Sequence, residues 1–188
     1  MKLPLFPLSS HILPAGRMAL RIFEPRYVRM IKQACAQDSE FVICMLDNTE
    51  DSQRSNKILP VGTSCKVVDF DLLPDGLLGV TVEGQYCVSI SETEVEPDGL
   101  RIGECTVQPD WTSNVDLEQL HPIDKRLKEI FERYPEVSSL YTHTHFDDPV
   151  WVIQRWIELL PVGAEQKQEF IAKANCQAVL RYLSQMIE

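Results

Sequence analysis

The sequence predicts an α+β protein, with a β-rich first part that folds as a small barrel or sandwich and a helical bundle after it. Upstream of Trp111, apolar and polar residues alternate in short runs, and Pro-Asp-Gly triplets at 74–76 and 97–99 separate several of them. Downstream of Trp111 the apolar period lengthens to that of a helix. With 188 residues, 44% of them hydrophobic, the chain can build one domain with a sizeable core or two small subdomains packed together. The division is placed at residue 111: residues 1–111 form the β-rich part and 112–188 the helical part of one domain.

In the first part, "LPLFPL" (3–8) alternates, with prolines that suit an edge or a bulge, and "MALRIF" (18–23) and "FVICML" (41–46) are strands. Between the last two lies a helix whose apolar positions Tyr27, Met30, Ile31 and Ala34 follow i, i+3, i+4, i+7. A polar, strandless loop covers 47–57. Strands follow at about 61–72, 77–83, 85–95 and 100–108, and short antiparallel strands with tight turns predict closure into a barrel or sandwich. In the Pro-Asp-Gly turns proline presets φ, aspartate bonds to its own backbone and glycine accepts positive φ.

Tyr86, Val88 and Ile90 share one strand face, and the same parity continues into Glu92, Glu94 and Glu96. Either the strand runs out into solvent, or a bulge swaps its faces and turns Val95 inward. A solvated acidic face is the first reading, a dock for a basic partner the second.

In the second part, Leu117, Leu120, Leu127, Ile130, Phe131 and Tyr134 form the stripe of a helix over about 116–134, whose true start Pro122 leaves open. Asp148 and Pro149 are an N-cap and N1 pair opening a helix to about Leu160, with Ile153, Trp156, Ile157 and Leu160 on one side. Pro161 stops it. A third helix begins near Ala164 and a fourth after Asn175, with Val179, Leu180, Leu183 and Ile187 packing inward.

Charge and composition narrow the function. A net charge of −10, with neither half basic, repels nucleic-acid phosphates and anionic lipid. Trp111, Trp151 and Trp156 are not interleaved with arginines as a base-stacking platform requires; Trp156 falls on its helix's buried stripe, and burial is the first reading for Trp151. No apolar run approaches the ~20 residues of a membrane helix, and three prolines break the N-terminal run, so a cytoplasmic protein is expected. The six cysteines show no Cys-x-x-Cys spacing, and Cys44, Cys65, Cys87 and Cys105 sit in strand-like stretches. They read as free buried thiols of a reducing compartment.

Catalytic signatures are sparse. "GVTVEGQY" (79–86) has the glycine spacing of a phosphate-binding loop, but Gln85 and Tyr86 replace the required lysine and hydroxyl residue, and no helix follows. "HTHFDD" places His143, His145, Asp147 and Asp148 together, ligands in principle for a metal-dependent hydrolase. Asp148 already has a capping role and no third histidine is spaced usefully, so loop histidines are the first reading. His11 and His121 have no evident partner, and no cofactor is expected.

The stretch "FEPRYVRMI" (23–31) concentrates unusual residues at a helix start. Pro25 suits the first turn, Glu24 sits near the positive end of the helix dipole, and Arg26 pairs with Glu24 or reaches a carboxylate across the fold. This stretch, with "PLFPL" (4–8), "LPAG" (13–16), "VEGQYCVSI" (82–90) and "ELLPVGAEQKQEFIAKAN" (158–175), resembles in order the N-terminal substrate-recognition domain of the Lon protease family. The resemblance spans nearly the whole chain. It implies a β-rich pseudo-barrel related to the PUA-like fold, then a helical part. Full-length members continue into an ATPase and a Ser-Lys protease; this sequence has neither a Walker motif nor such a dyad, so a non-catalytic module is expected. Where the family often has an arginine about three residues after the "VEG" glycine, this chain has Cys87. The implied partners are unfolded polypeptide segments or one specific protein, and the candidate contacts are Leu5, Phe6, Phe23, Arg26 and Tyr27.

Overall fold

The computed structural model describes residues 1–47 and 57–187. The chain divides into two compact units, Met1–Pro109 and Asp110–Glu188. The first contains β1 (Lys2–Leu8), β2 (Arg17–Ile22), α1 (Pro25–Gln37), β3 (Phe41–Leu46), β4 (Ile58–Leu72), β5 (Leu78–Val95) and β6 (Arg101–Val107). Their order in the sheet is β2-β5-β4-β3-β1-β6, and β6 also pairs with β5. Five strands therefore close on one another as a barrel, while β2 lies outside that ring on the first part of β5, with Arg17 opposite Glu83 and Ile22 opposite Leu78.

The sequence suggests antiparallel strands throughout, and the structure corrects this at one pair. β1 and β3 run parallel, with Leu5 opposite Val42. A parallel pair needs a long crossover, which β2 and α1 supply. A second correction concerns 77–83 and 85–95, which are one continuous strand. Gly84 does not end β5; it lets another backbone approach. Its N–H donates to the Gly16 carbonyl at 3.0 Å and its carbonyl accepts from the Ala15 N–H at 2.8 Å. A Cβ at this position would lie 2.3 Å from the Leu13 carbonyl oxygen. The glycine spacing that mimics a phosphate loop is thus a packing requirement.

Period-2 alternation sends neighbouring residues to two apolar clusters. Leu5, Val42, Val88 and Ile90 join one cluster with Cys44 and Cys105. Phe6, Ile43, Val80 and Val82 join the other, together with the buried stripe Tyr27, Met30, Ile31 and Ala34 of α1. A register shift between Ile90 and Thr93 marks a bulge, yet Val95 is 67% exposed, so the faces do not swap inward. The strand runs into solvent. Glu94 accepts from Lys2 Nζ at 2.7 Å, and just beyond the strand Glu96 and Asp98 hold Arg29. Gly76 and Gly99 close the two Pro-Asp-Gly turns at φ 82° and 88°. Asp47 N–H bonds to the Lys57 carbonyl at 2.9 Å, and residues 48–56 of the loop between them lie outside the described residues.

The second unit contains α2 (Leu117–Leu120), α3 (Ile123–Arg133), α4 (Pro135–Ser138), α5 (Pro149–Leu159), α6 (Ala164–Lys173) and α7 (Cys176–Ile187). The single helix expected over 116–134 is broken at His121-Pro122, because proline has no N–H for the preceding turn. Asp116 and Gln119 form a capping box on α2. Leu120, Ile123, Leu127 and Phe131 are buried, whereas Leu117 and Tyr134, at the ends of the supposed stripe, are exposed. In α5 it is Trp151 that is buried, and Trp156 is half-buried with Nε1 donating to the Ile123 carbonyl at 3.1 Å. Trp151 packs among Phe131, Tyr141 and Phe146, with ring centroids 5.2–5.9 Å away. Arg155, 1% exposed, pairs with Glu158 through Nε and Nη2, both at 2.8 Å.

Candidate functional site

The "FEPRY" stretch is first a helix entrance. Pro25 occupies the first turn of α1, and Glu24 precedes it in extended conformation without a side-chain cap. Arg26 extends three ways: Nε donates to Glu24 Oε2 at 2.9 Å, Nη1 donates to the Gly99 carbonyl at 2.9 Å, and its guanidinium lies 4.8 Å from the centre of the Tyr27 ring. The helix start is thereby fastened to the β5–β6 turn. One turn further, Arg29 Nε donates to Asp98 Oδ2 at 2.8 Å and Nη2 bonds Glu96. That hydrogen bond holds the Asp98 carboxyl below its ordinary range and, with the bond to Glu96, raises the Arg29 guanidinium.

Beside this clamp is a groove of about 260 Å³, with Phe6 from β1, Leu20 from β2, Leu46 from β3 and Tyr27 from α1 on its walls. Phe6 and Tyr27 stack at 4.2 Å between centroids, and burial pushes the Tyr27 hydroxyl above its ordinary value. Phe23 also lines the groove and is 67% exposed. Four of the five sequence candidates, Phe6, Phe23, Arg26 and Tyr27, thus meet at one surface feature. Leu5 does not: it is fully buried in the opposite apolar cluster, because its side chain points to the other face of β1.

Arg21 and Arg101 also line the groove, and sequence reasoning missed both. Arg101 arrives through the pairing of β1 with β6, where it stands opposite Leu5, a relation between residues nearly a hundred positions apart. Arg21 had a local signal, the alternation of Arg17, Ala19 and Arg21 along β2, and it bonds Asp75.

The other candidates do not assemble into a reactive site. Asp148 Oδ1 accepts from the Val150 and Trp151 N–H groups, as a cap does, and His145 lies edge-on to the Trp151 ring at 6.1 Å. Among the described residues no group of three or more His, Cys, Asp and Glu could hold a metal ion. Cys44 is fully buried, and desolvation pushes its thiol up to about 12. No helix among the described residues is long and apolar enough to cross a membrane.

Over residues 2–188 the sequence matches the family described as the ATP-dependent protease La (LON) substrate-binding domain. The chain belongs to that family. Among LON relatives, the Lon protease of Bacillus thuringiensis (strain Al Hakam) is 25% identical over 193 residues, covering 98% of this chain and 24% of the relative. The Lon protease of Haemophilus influenzae is 24% identical over 194 residues, 99% of this chain and 24% of that one. The chain thus spans about a quarter of the length of these relatives. Its fold resembles the crystal structure of a Lon N-terminal domain protein from Xanthomonas campestris, with a TM-score of 0.69, 28% identity and coverage of 97% of this chain and 96% of that one. The N-terminal domain of Mycobacterium avium complex Lon protease has the same fold at 15% identity, with a TM-score of 0.65 over 97% of this chain and 96% of that one. The mixed α+β architecture is therefore that of Lon N-terminal domains, and membership supports a substrate-recognition module.

Proposed function

We propose that this chain is a non-catalytic module that recognises polypeptide segments, unfolded or displaying apolar side chains, in protein quality control, and that the groove beside Phe23 is where they dock. One observation carries the site: a phenylalanine 67% exposed at the mouth of a groove with aromatic and aliphatic walls. An aromatic side chain left in water beside such a concavity forgoes burial worth roughly 2–3 kcal/mol, which a partner's apolar residues recover. The walls are fixed in advance. Arg26 ties α1 to the Gly99 turn and Tyr27 stacks on Phe6, so a segment meets a preformed surface and binding orders mainly the segment. Volume suits one or two side chains, which favours many short apolar stretches over one extensive fold-specific surface.

Photo-crosslinking tests this. A photoreactive phenylalanine analogue at position 23 forms adducts with a reduced, permanently unfolded polypeptide, and the same analogue at Leu117, an exposed position in the second unit, does not. Equal adduct yields at the two positions, or none at 23, would overturn the assignment. A single stoichiometric partner captured from lysate at position 23 would replace general recognition with a dedicated interaction.

A further inference from the structure

Strand β4 has neighbours on both sides only as far as Cys65, where its ladder with β3 ends opposite Phe41. From Lys66 to Leu72, among the described residues, its one strand neighbour is β5. Among the described residues the other edge carries no strand. Leu73 N–H bonds to the Leu77 carbonyl at 2.8 Å. Antiparallel alternation from that pair turns the backbones of Asp71 and Asp69 toward β5 and leaves the N–H and carbonyl groups of Leu72 and Phe70 on the open edge. Both outward N–H groups are occupied by the preceding side chain: Phe70 N–H donates to Asp69 Oδ1 at 2.9 Å, and Leu72 N–H to Asp71 Oδ1 at 2.8 Å. Phe70 is 68% and Leu72 72% exposed. A cleft of about 260 Å³ runs between this edge and the end of α1, with Ala34, Val67 and Phe70 on its walls.

We propose that this edge accepts an extended polypeptide segment as an added strand, one whose apolar residues alternate with lysine or arginine. The observations fit that occupant on three counts. Strand addition uses the outward N–H and carbonyl groups of Phe70 and Leu72. Period 2 sets Phe70 and Leu72 on one face and the two aspartates on the other, so an alternating segment matches both faces at once. The aspartate carboxylates, on leaving the N–H groups, pair with the incoming basic side chains. A second copy of the same edge does not fit: antiparallel self-pairing would set the acids of one copy against those of the other, and like charges on paired strands repel. Unoccupied, the carboxylates keep the edge from pairing indiscriminately. The inference rests on the recognition reading for the kind of partner, a polypeptide, and not on the groove at Phe23.

The test uses the whole chain and a labelled peptide of about ten residues alternating valine and lysine, against one of the same composition with all lysines at one end. Fluorescence anisotropy should show the alternating peptide binding about tenfold more tightly. Amide exchange at Phe70 and Leu72, followed by NMR on the unmodified protein, should slow about tenfold at saturation. Leu72→Pro removes an outward N–H that the β5 ladder does not use and should weaken binding about tenfold while the fold persists. Asp69→Asn/Asp71→Asn should abolish the preference for the valine–lysine over a valine–glutamine peptide. Leu117→Ala, at an exposed position of the second unit, should leave all of this unchanged. Equal binding of the two orders, unaltered exchange, wild-type affinity in Leu72→Pro, or a retained lysine preference in the double variant would each overturn the proposal. Slowed exchange that appears around Phe23 and not at Phe70 and Leu72 would overturn it too, and would move the segment to the groove.

Discussion

Arg26 Nη1 donates to the carbonyl of Gly99 at 2.9 Å, joining the first turn of α1 to a turn 73 residues away. The relationship settles what the crowded "FEPRY" stretch does locally: it fastens a helix entrance to the barrel.

Removal of that fastening should cost stability. Arg26→Ala loses a charge-assisted hydrogen bond and the contact with the Tyr27 ring, and urea unfolding should show a loss of about 1–3 kcal/mol. Arg26→Lys keeps the charge without the planar fork and should recover only part of it. Identical midpoints for all three proteins would show that the clamp does not hold the helix.

The neighbouring pair gives a pH dependence. Arg29 lowers the Asp98 carboxyl below its ordinary value of 3.8, so the folded chain retains the charge more readily than the unfolded one. The pair's contribution is complete above that ordinary value and is lost as pH falls through the lower folded value. Thermal unfolding of the wild type and Arg29→Gln should therefore differ near pH 6, and the gap should close as the solution is acidified well below pH 3.8. A gap independent of pH across that range would contradict the pairing.

Two glycines separate steric need from backbone need. Gly84→Ala places a methyl 2.3 Å from the Leu13 carbonyl oxygen and should cost about 2–3 kcal/mol or more. At Gly76 an added methyl meets nothing within 4 Å, and only the φ of 82° opposes it, so Gly76→Ala should cost about 1 kcal/mol. Equal losses in chemical denaturation would remove the close-approach account of the "VEG" glycine.

Thiol reactivity should follow burial. Cys35 is exposed and the other five cysteines are buried, with the Cys44, Cys105 and Cys176 thiols raised by desolvation. A disulfide reagent at pH 8 should titrate one thiol rapidly in the native protein, and Cys35→Ser should remove it. Several fast thiols would mean the barrel opens readily.

Periodicity made α1, α5 and most strands legible, because each buries one face. The α1 stripe, the Pro25 entrance and the Asp148 cap are local patterns. What stayed hidden depends on long-range pairing. The parallel β1–β3 pair, the arrival of Arg101 at the groove and the Gly99 carbonyl as the partner of Arg26 join residues separated by tens of positions. The break between α2 and α3 had a local signal in Pro122, but Leu120 and Leu127, seven apart, keep helical spacing across it, so the pattern reads as one helix where there are two. Leu5 and Phe6 were read as one contact surface, although adjacent strand residues face opposite ways. The open edge at Phe70 and Leu72 did have a local trace, the alternating acid and apolar residues of "DFDL" (69–72).

The most direct measurement of the central claim is equilibrium binding of a fluorescent, permanently unfolded polypeptide by the wild type and by Phe23→Ala, with the folded form of that polypeptide as competitor. An exposed side chain makes Phe23→Ala nearly neutral for stability, within about 0.5 kcal/mol, so any change reports on recognition. The unfolded form should bind, about tenfold or more weakly to Phe23→Ala, and the folded form should not compete. Equal affinities for wild type and variant, or equal competition by the folded protein, would contradict it.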